Sequence, residues 1–222
     1  MEYLIRRAVK TPELRGLWDG PAWSKADTLE VACFRPESST HRPYVRARML
    51  YDASNIYGIY CVKDRFVRSV NEGLQSSVCR DSCVEFFVEP PTGRGYFNFE
   101  FNCGGHLLLY HVRDARRSGD TFADFSEVPE EDARTVKIYH SLPSVVEPEI
   151  QAETEWFLEF AAPMAIFAKH AGVKGDPAGQ TWRANFYKCG DRTSHPHWAS
   201  WAPVSALNFH MPECFQPVRF VA

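Results

Sequence analysis

Ser82-Cys83-Val84-Glu85-Phe86-Phe87-Val88-Glu89, then Pro90-Pro91-Thr92-Gly93-Arg94-Gly95, then Tyr96-Phe97-Asn98-Phe99-Glu100-Phe101-Asn102 is the stretch that decides the fold. Successive side chains of a strand point to opposite faces, and both outer runs alternate strictly. Val84, Phe86 and Val88 share one face of the first run, against Cys83, Glu85, Phe87 and Glu89. In the second, Phe97, Phe99 and Phe101 oppose Tyr96, Asn98, Glu100 and Asn102. A period of two held over seven residues predicts half-buried strands, and the Pro/Gly cluster between them turns the chain.

The same pattern spreads outward. Gly104-Gly105 and His106–Val112 continue a meander. Upstream, Tyr44–Tyr51 places Val45, Ala47 and Met49 opposite Arg46 and Arg48, turns at Asp52-Ala53-Ser54-Asn55, and returns as Ile56–Val62. Leu29–Phe34, Val136–Tyr139, Trp156–Ala161, Thr181–Cys189 and Phe215–Val221 read as further strands. Pro163–His170 reads as the one short helix, with Pro at its start and Gly172 just past its end. Residues 1–24, 63–80 and 113–135 read as irregular or loop. The expected architecture is an all-β antiparallel β-sandwich, immunoglobulin- or jelly-roll-like, with residues 1–222 as a single domain.

Composition agrees. Of 222 residues 45% are hydrophobic, and 16 Phe, 9 Tyr and 6 Trp favour strands. A net charge of −3 gives no electrostatic reason to expect nucleic acid or an anionic membrane as partner. No segment approaches the roughly 18 apolar residues of a membrane-spanning helix. No signal-like stretch follows Met1, which reads as cytoplasmic, or as secreted or periplasmic if a leader was removed. The seven cysteines are an odd number and several sit in apolar strand patterns, so reduced core thiols are expected.

Alternation lets Glu85, Asn98, Glu100, Asn102, Asn185 and Tyr187 share one sheet face. Any half-solvated sheet shows polar residues at every second position. This face, however, offers carboxylates, amides and a phenol, which donate and accept in fixed planes as sugar hydroxyls require. Here the sequence resembles the family 9 carbohydrate-binding modules, most closely stand-alone family-9-like bacterial proteins. The resemblance is carried by Asp81-Ser82-Cys83-Val84-Glu85-Phe86-Phe87, by Tyr96–Asn102, by Asn185-Phe186-Tyr187-Lys188-Cys189-Gly190-Asp191, by Ser200-Trp201 and by Asn208–Phe215. It implies a sandwich that binds sugar between aromatic side chains without catalysing a reaction, with structural calcium as a possible companion and no other cofactor. Carried over, it implies Glu85, Glu100, Asn102, Asn185, Tyr187 and Trp201 as carbohydrate-binding residues, with Glu85 accepting from hydroxyls and Trp201 as a stacking platform. The family's other platform stands a few residues before the Asp-Ser-x-Val-Glu run. Here that place is Ser77-Val78-Cys79-Arg80, which leaves Tyr187 or Trp198 to complete the pair, or no second platform.

Two other classes remain open. Glu85 and Glu100 could form a glycosidase pair, although neighbouring asparagines argue for a solvated face rather than the apolar burial a general acid needs. A sandwich serving only protein interaction is the third. Cys189, Asp191, His195, His197, His210 and Cys214 include zinc-ligand types, but without the tight spacing of structural sites. Arg46 and Arg48 are expected to be exposed or paired with Glu85 or Glu89. The run Asp114–Arg117 reads as a solvated loop, and Trp18, Trp23, Trp156 and Trp182 as packing.

Overall fold

In the computed structural model, which describes residues 1–119 and 121–222, the chain builds β1 (Tyr3–Arg7), β2 (Thr28–Glu30), β3 (Cys33–Phe34), β4 (Tyr44–Tyr51), β5 (Asn55–Asp64), β6 (Val67–Ser69), β7 (Cys83–Glu89) and β8 (Tyr96–Asn102). It continues with β9 (Leu107–Ser118), β10 (Thr121–Glu127), α1 (Glu130–Ala133), β11 (Lys137–His140), β12 (Val146–Ile150) and β13 (Thr154–Pro163). The last elements are α2 (Met164–Ala171), β14 (Thr181–Cys189), β15 (Trp198–Ser200) and β16 (Gln216–Val221).

One layer runs β10-β9-β8-β7-β14 and the other β1-β4-β5-β13-β11. β16 joins them, antiparallel to β14 through Gln216–Arg219 and parallel to β1 through Val218–Val221. Between the layers Phe86 and Phe101 pack on Phe160, with ring centroids 6.2 and 4.9 Å apart. Tyr60 also donates across the gap to the Glu85 carbonyl at 2.7 Å. The inward rows Val84/Phe86/Val88 and Phe97/Phe99/Phe101 are fully buried, as alternation requires. This is the expected β-sandwich.

Four expectations need correction. The N-terminus is not irregular: Leu4 and Ile5 fall in β1, which lies between β16 and β4, parallel to both, so the sheet is mixed. The arginines at 6 and 7 hid it, although Arg6 stays at the surface by pairing with Asp27 at 3.2 Å. Residues 113–135 are a β-hairpin and a one-turn helix rather than a loop; position 120 lies outside the described residues. Their charges (Arg113 to Asp124 at 2.6 Å, for example) pair across the exposed hairpin. Residues 63–80 contain β6 and a 3₁₀ turn at Val78–Arg80. Finally, Arg46 and Arg48 reach neither Glu85 nor Glu89; both guanidinium groups lie over the Trp18 ring, 4.8 and 4.2 Å from its centroid. Helix α2 does end as read, with Gly172 left-handed at φ 72°.

Candidate functional site

Register sets the outer face of the first layer. Glu85 lies directly opposite Glu100 on β8 and opposite Tyr187 on β14. Cys83 faces Asn102 on one side and Cys189 on the other. This face is not solvated. Residues 201–215 fold over it, and Val204, Phe209 and Phe215 pack on Phe87, Tyr96 and Tyr187.

The cover explains the amides. Asn185 Oδ1 accepts from Ala202 N at 2.9 Å while its Nδ2 donates to Ala202 O at 3.0 Å, pinning the segment like an extra strand pair. Tyr187 donates to Phe209 O at 3.0 Å, and the two rings stack with centroids 4.1 Å apart. Asn102 donates to Asp81 Oδ2 at 2.9 Å and to Asn71 O at 3.0 Å, and accepts from His106 N at 3.0 Å. Trp201 is 7% exposed and sits in the core, edge-on to Tyr3 and Phe186. So buried a ring offers little surface on which a sugar could stack.

Glu85 and Glu100 are brought together in a cavity of about 320 Å³ lined also by Cys79, Arg117, Cys189, Asp191, Trp198, Leu207, Asn208, Phe209 and His210. They are 2% and 5% exposed. Burial pushes the Glu85 carboxyl well above the usual carboxylate range, and the facing Glu100 adds to it. Burial likewise pushes Glu100 up to about 7, against the pull of Asn98 Nδ2, which donates to Glu100 Oε1 at 2.7 Å. Glu85 Oε2 has no hydrogen-bond partner. A buried acceptor left unpaired costs free energy, so a hydroxyl donor arriving here would relieve it.

Phe209, Arg117 and Leu207 are lining residues that the sequence reading does not assign to the site, while it offers Trp198 only as an alternative second platform and Asp191 only among the zinc-type residues. Trp198 Nε1 donates to Asp191 Oδ1 at 2.7 Å, which fixes the indole at the cavity wall. The missed signal was parity. β15 pairs Trp198 with Cys189 and Ser200 with Tyr187, both on the outer face. Ala199 and Trp201 must then point inward. Phe209 comes in on a loop, and Arg117 on the far end of β9, which the sequence reads as a solvated loop. Cys79 lines the cavity where the resemblance places an aromatic.

The scattered zinc-type residues do not assemble. His195 stacks on Phe66 at 3.6 Å, His197 bonds Lys188 at 2.7 Å, and His210 bonds Tyr96 at 2.8 Å. Calcium, for its part, needs six or more oxygen ligands. Asp81 spends its oxygens on N–H donors of Val70, Asn71 and Asn102. Among the described residues, the group of three His, Cys, Asp or Glu ligands that does converge contains two thiols. Neither place suits calcium.

A β-sandwich with a cavity of aromatic walls and hydrogen-bonding carboxyls defines the carbohydrate-binding class. Residues 22–220 match carbohydrate-binding family 9, and the chain belongs to that family. It is similar to a proposed carbohydrate-binding protein from Bacteroides uniformis: 30% identity, 99% of this chain and 98% of that one covered, TM-score 0.85. Two structures of a family 9 carbohydrate-binding module from Caldicellulosiruptor kristjanssonii share the fold at 12% identity. The glucose complex has a TM-score of 0.65 over 98% of this chain and 95% of that one. The cellotriose complex has 0.62 over 100% and 94%. No curated protein matches the chain. Among the described residues, no helix is long and apolar enough to cross a membrane.

Proposed function

We propose that residues 1–222 act as one non-catalytic carbohydrate-binding unit, with the sugar seated in the Glu85/Glu100 cavity. The unpaired, buried Glu85 Oε2 beside the aromatic walls is the observation that carries this reading. Trp198 and Phe209 would cover the apolar face of a sugar ring. Glu85, Glu100, Asp191 and Asn208 would bond its hydroxyls, and Arg117 would close the rim. In this reading Asn102, Asn185, Tyr187 and Trp201 hold the cover and the core rather than touch ligand. Glucose and cellotriose, the ligands of the Caldicellulosiruptor complexes, are the sugars to try first.

Calorimetry with these sugars tests it. Trp198→Ala should weaken binding by roughly 1–3 kcal/mol if stacking on sugars resembles stacking on bases, while Arg46→Ala on the other layer should not change it. A wild-type chain that binds nothing on a broad glycan array would leave the protein-interaction reading instead.

One observation favours a second, hydrolytic reading. Both carboxyls are buried and raised, and they face each other in register, which removes the solvation argument against a general acid. Turnover of aryl glycosides or oligosaccharides, abolished in Glu100→Gln, would replace the binding-only reading with this one.

A further inference from the structure

The thiol of Cys189 lines the same cavity, and the fully buried Cys83 stands beside it. The two residues stand directly opposite each other on β7 and β14. Glu85, two positions along the same face of β7, brings its carboxylate to both. Cys189 Sγ is 3.1 Å and Cys83 Sγ 3.9 Å from Glu85 Oε1. All three ligand atoms lie within 4.8 Å of one another. A tetrahedral zinc ion with sulfur at about 2.3 Å and oxygen at about 2.1 Å separates neighbouring ligand atoms by about 3.6–3.8 Å. The triangle is therefore within a few tenths of an ångström to one ångström of that geometry.

Three further features favour a ligand over mere packing. Both thiols pack with Val78 and Leu108, as buried thiols ordinarily do among apolar groups, but they also share one carboxylate oxygen. The other oxygen, Glu85 Oε2, is buried and has no partner. The donors project from paired strands, which hold them more rigidly than loops would. Cys189 and Glu85 line the cavity, so an ion has a route in from that side.

We infer that Cys83, Glu85 and Cys189 form a site for one thiophilic divalent cation of the zinc type. Three protein ligands with an open side make a site whose fourth position faces the cavity, free for water or a ligand hydroxyl. Two thiolates exclude calcium and magnesium, which take oxygen ligands. On binding, both S–H bonds and the O–H bond of a protonated Glu85 break, two sulfur–metal bonds and one oxygen–metal bond form, and the released protons leave to the buffer, with no change of oxidation state. The inference does not rest on the sugar reading, because metal uptake and sugar binding are measured separately.

The test uses the full chain, reduced, stripped with chelator and titrated with Co²⁺ alone. The expected result is one cobalt per chain with a thiolate-to-cobalt charge-transfer band that Zn²⁺ displaces. Cys83→Ser and Cys189→Ser should each lose the band, and Glu85→Gln should weaken uptake at least tenfold, while Cys61→Ser on the other layer keeps it. Should a cysteine variant not fold, alkylation of the wild type decides: Zn²⁺ should slow modification of Cys83 and Cys189, located by peptide mass, but not of Cys33. A folded, reduced wild type without the band overturns the inference. So does a band unchanged in all three variants, or a Cys83–Cys189 disulfide whose reduction restores no metal uptake.

Discussion

Two groups of buried ionisable side chains meet on β14, one residue apart. Tyr187 and Cys189 face outward to the Glu85/Glu100 pair. Lys188 faces inward, 0% exposed, with Nζ 3.3 Å from Asp64 Oδ2, 2.7 Å from His197 Nε2 and 2.9 Å from Cys189 O. His41 Nε2 closes on Asp64 Oδ1 at 2.6 Å. Burial acts on Asp64 to raise its carboxyl, but the Lys188 charge, the His41 hydrogen bond and the two imidazoles outweigh it and hold Asp64 below its usual range. Burial and the Lys188 charge push His197 down to about 3, so it serves as a neutral acceptor. The inner group is thus compensated, each charge answered within the protein. The outer group has two acids, no buried cation and one unpaired oxygen. Both lie beside a cavity, and the larger one, about 570 Å³, is at His41 and Asp64. Size does not choose the site; charge balance does: Asp64 Oδ2 and Glu85 Oε2 both lack a hydrogen bond, but Asp64 has the Lys188 ammonium at 3.3 Å and the outer acids have no such cation.

Breaking the inner group should produce the largest effect. Lys188→Met strands the Asp64 charge in the interior and should cost about 3–5 kcal/mol in chemical denaturation. The double variant with Asp64→Asn should recover most of that loss. A single-variant loss below about 1 kcal/mol would mean that the pair is not an interior ion pair. Asp64 is depressed, so its contribution is present above the ordinary aspartate range near pH 4 and drains away in acid below it.

The outer group should respond to pH in the opposite sense. Glu100 is raised, so the folded chain binds its proton more tightly than the unfolded chain does. That contribution is fully present below about pH 4.5 and is lost as pH rises through about 7. The span corresponds to stability on the order of 3 kcal/mol, and Glu85 adds in the same direction. Denaturation measured from pH 4 to 8 in chelator should show this decline, and Glu100→Gln should flatten it. An equally steep decline in the variant would assign it elsewhere.

The smallest effect belongs to Glu85→Gln. Replacing an uncompensated buried acid by a neutral isostere should leave the melting temperature unchanged or slightly higher, while sugar and cobalt binding fall. A loss as large as that of Lys188→Met would erase the contrast between the two groups.

Much of the fold was legible because alternation is a local property. The rows Val84/Phe86/Val88 and Phe97/Phe99/Phe101 could only face a core, and Pro163 with Gly172 bounded α2. β1 was not legible, since its place between β16 and β4 depends on residues more than 200 positions away as well as near ones. The same division runs through the site. Parity put Glu85 and Glu100 on one outward face, and could also have separated Trp198 from Trp201. It could not show that Asn185 and Tyr187 would be consumed by Ala202 and Phe209, which fold back from 15 or more residues on.

By itself, then, the sequence determined the sandwich, the sugar-binding family and the outward carboxyl pair, because strand periodicity and motif order are written along the chain. Only the tertiary structure decided that this face is covered rather than wet. It also decided that Trp198 replaces Trp201 at the cavity wall and that Cys83, Glu85 and Cys189 converge. Burial, pKa and ligand geometry arise from groups distant in sequence, and they exist only once the 201–215 segment has closed over the sheet.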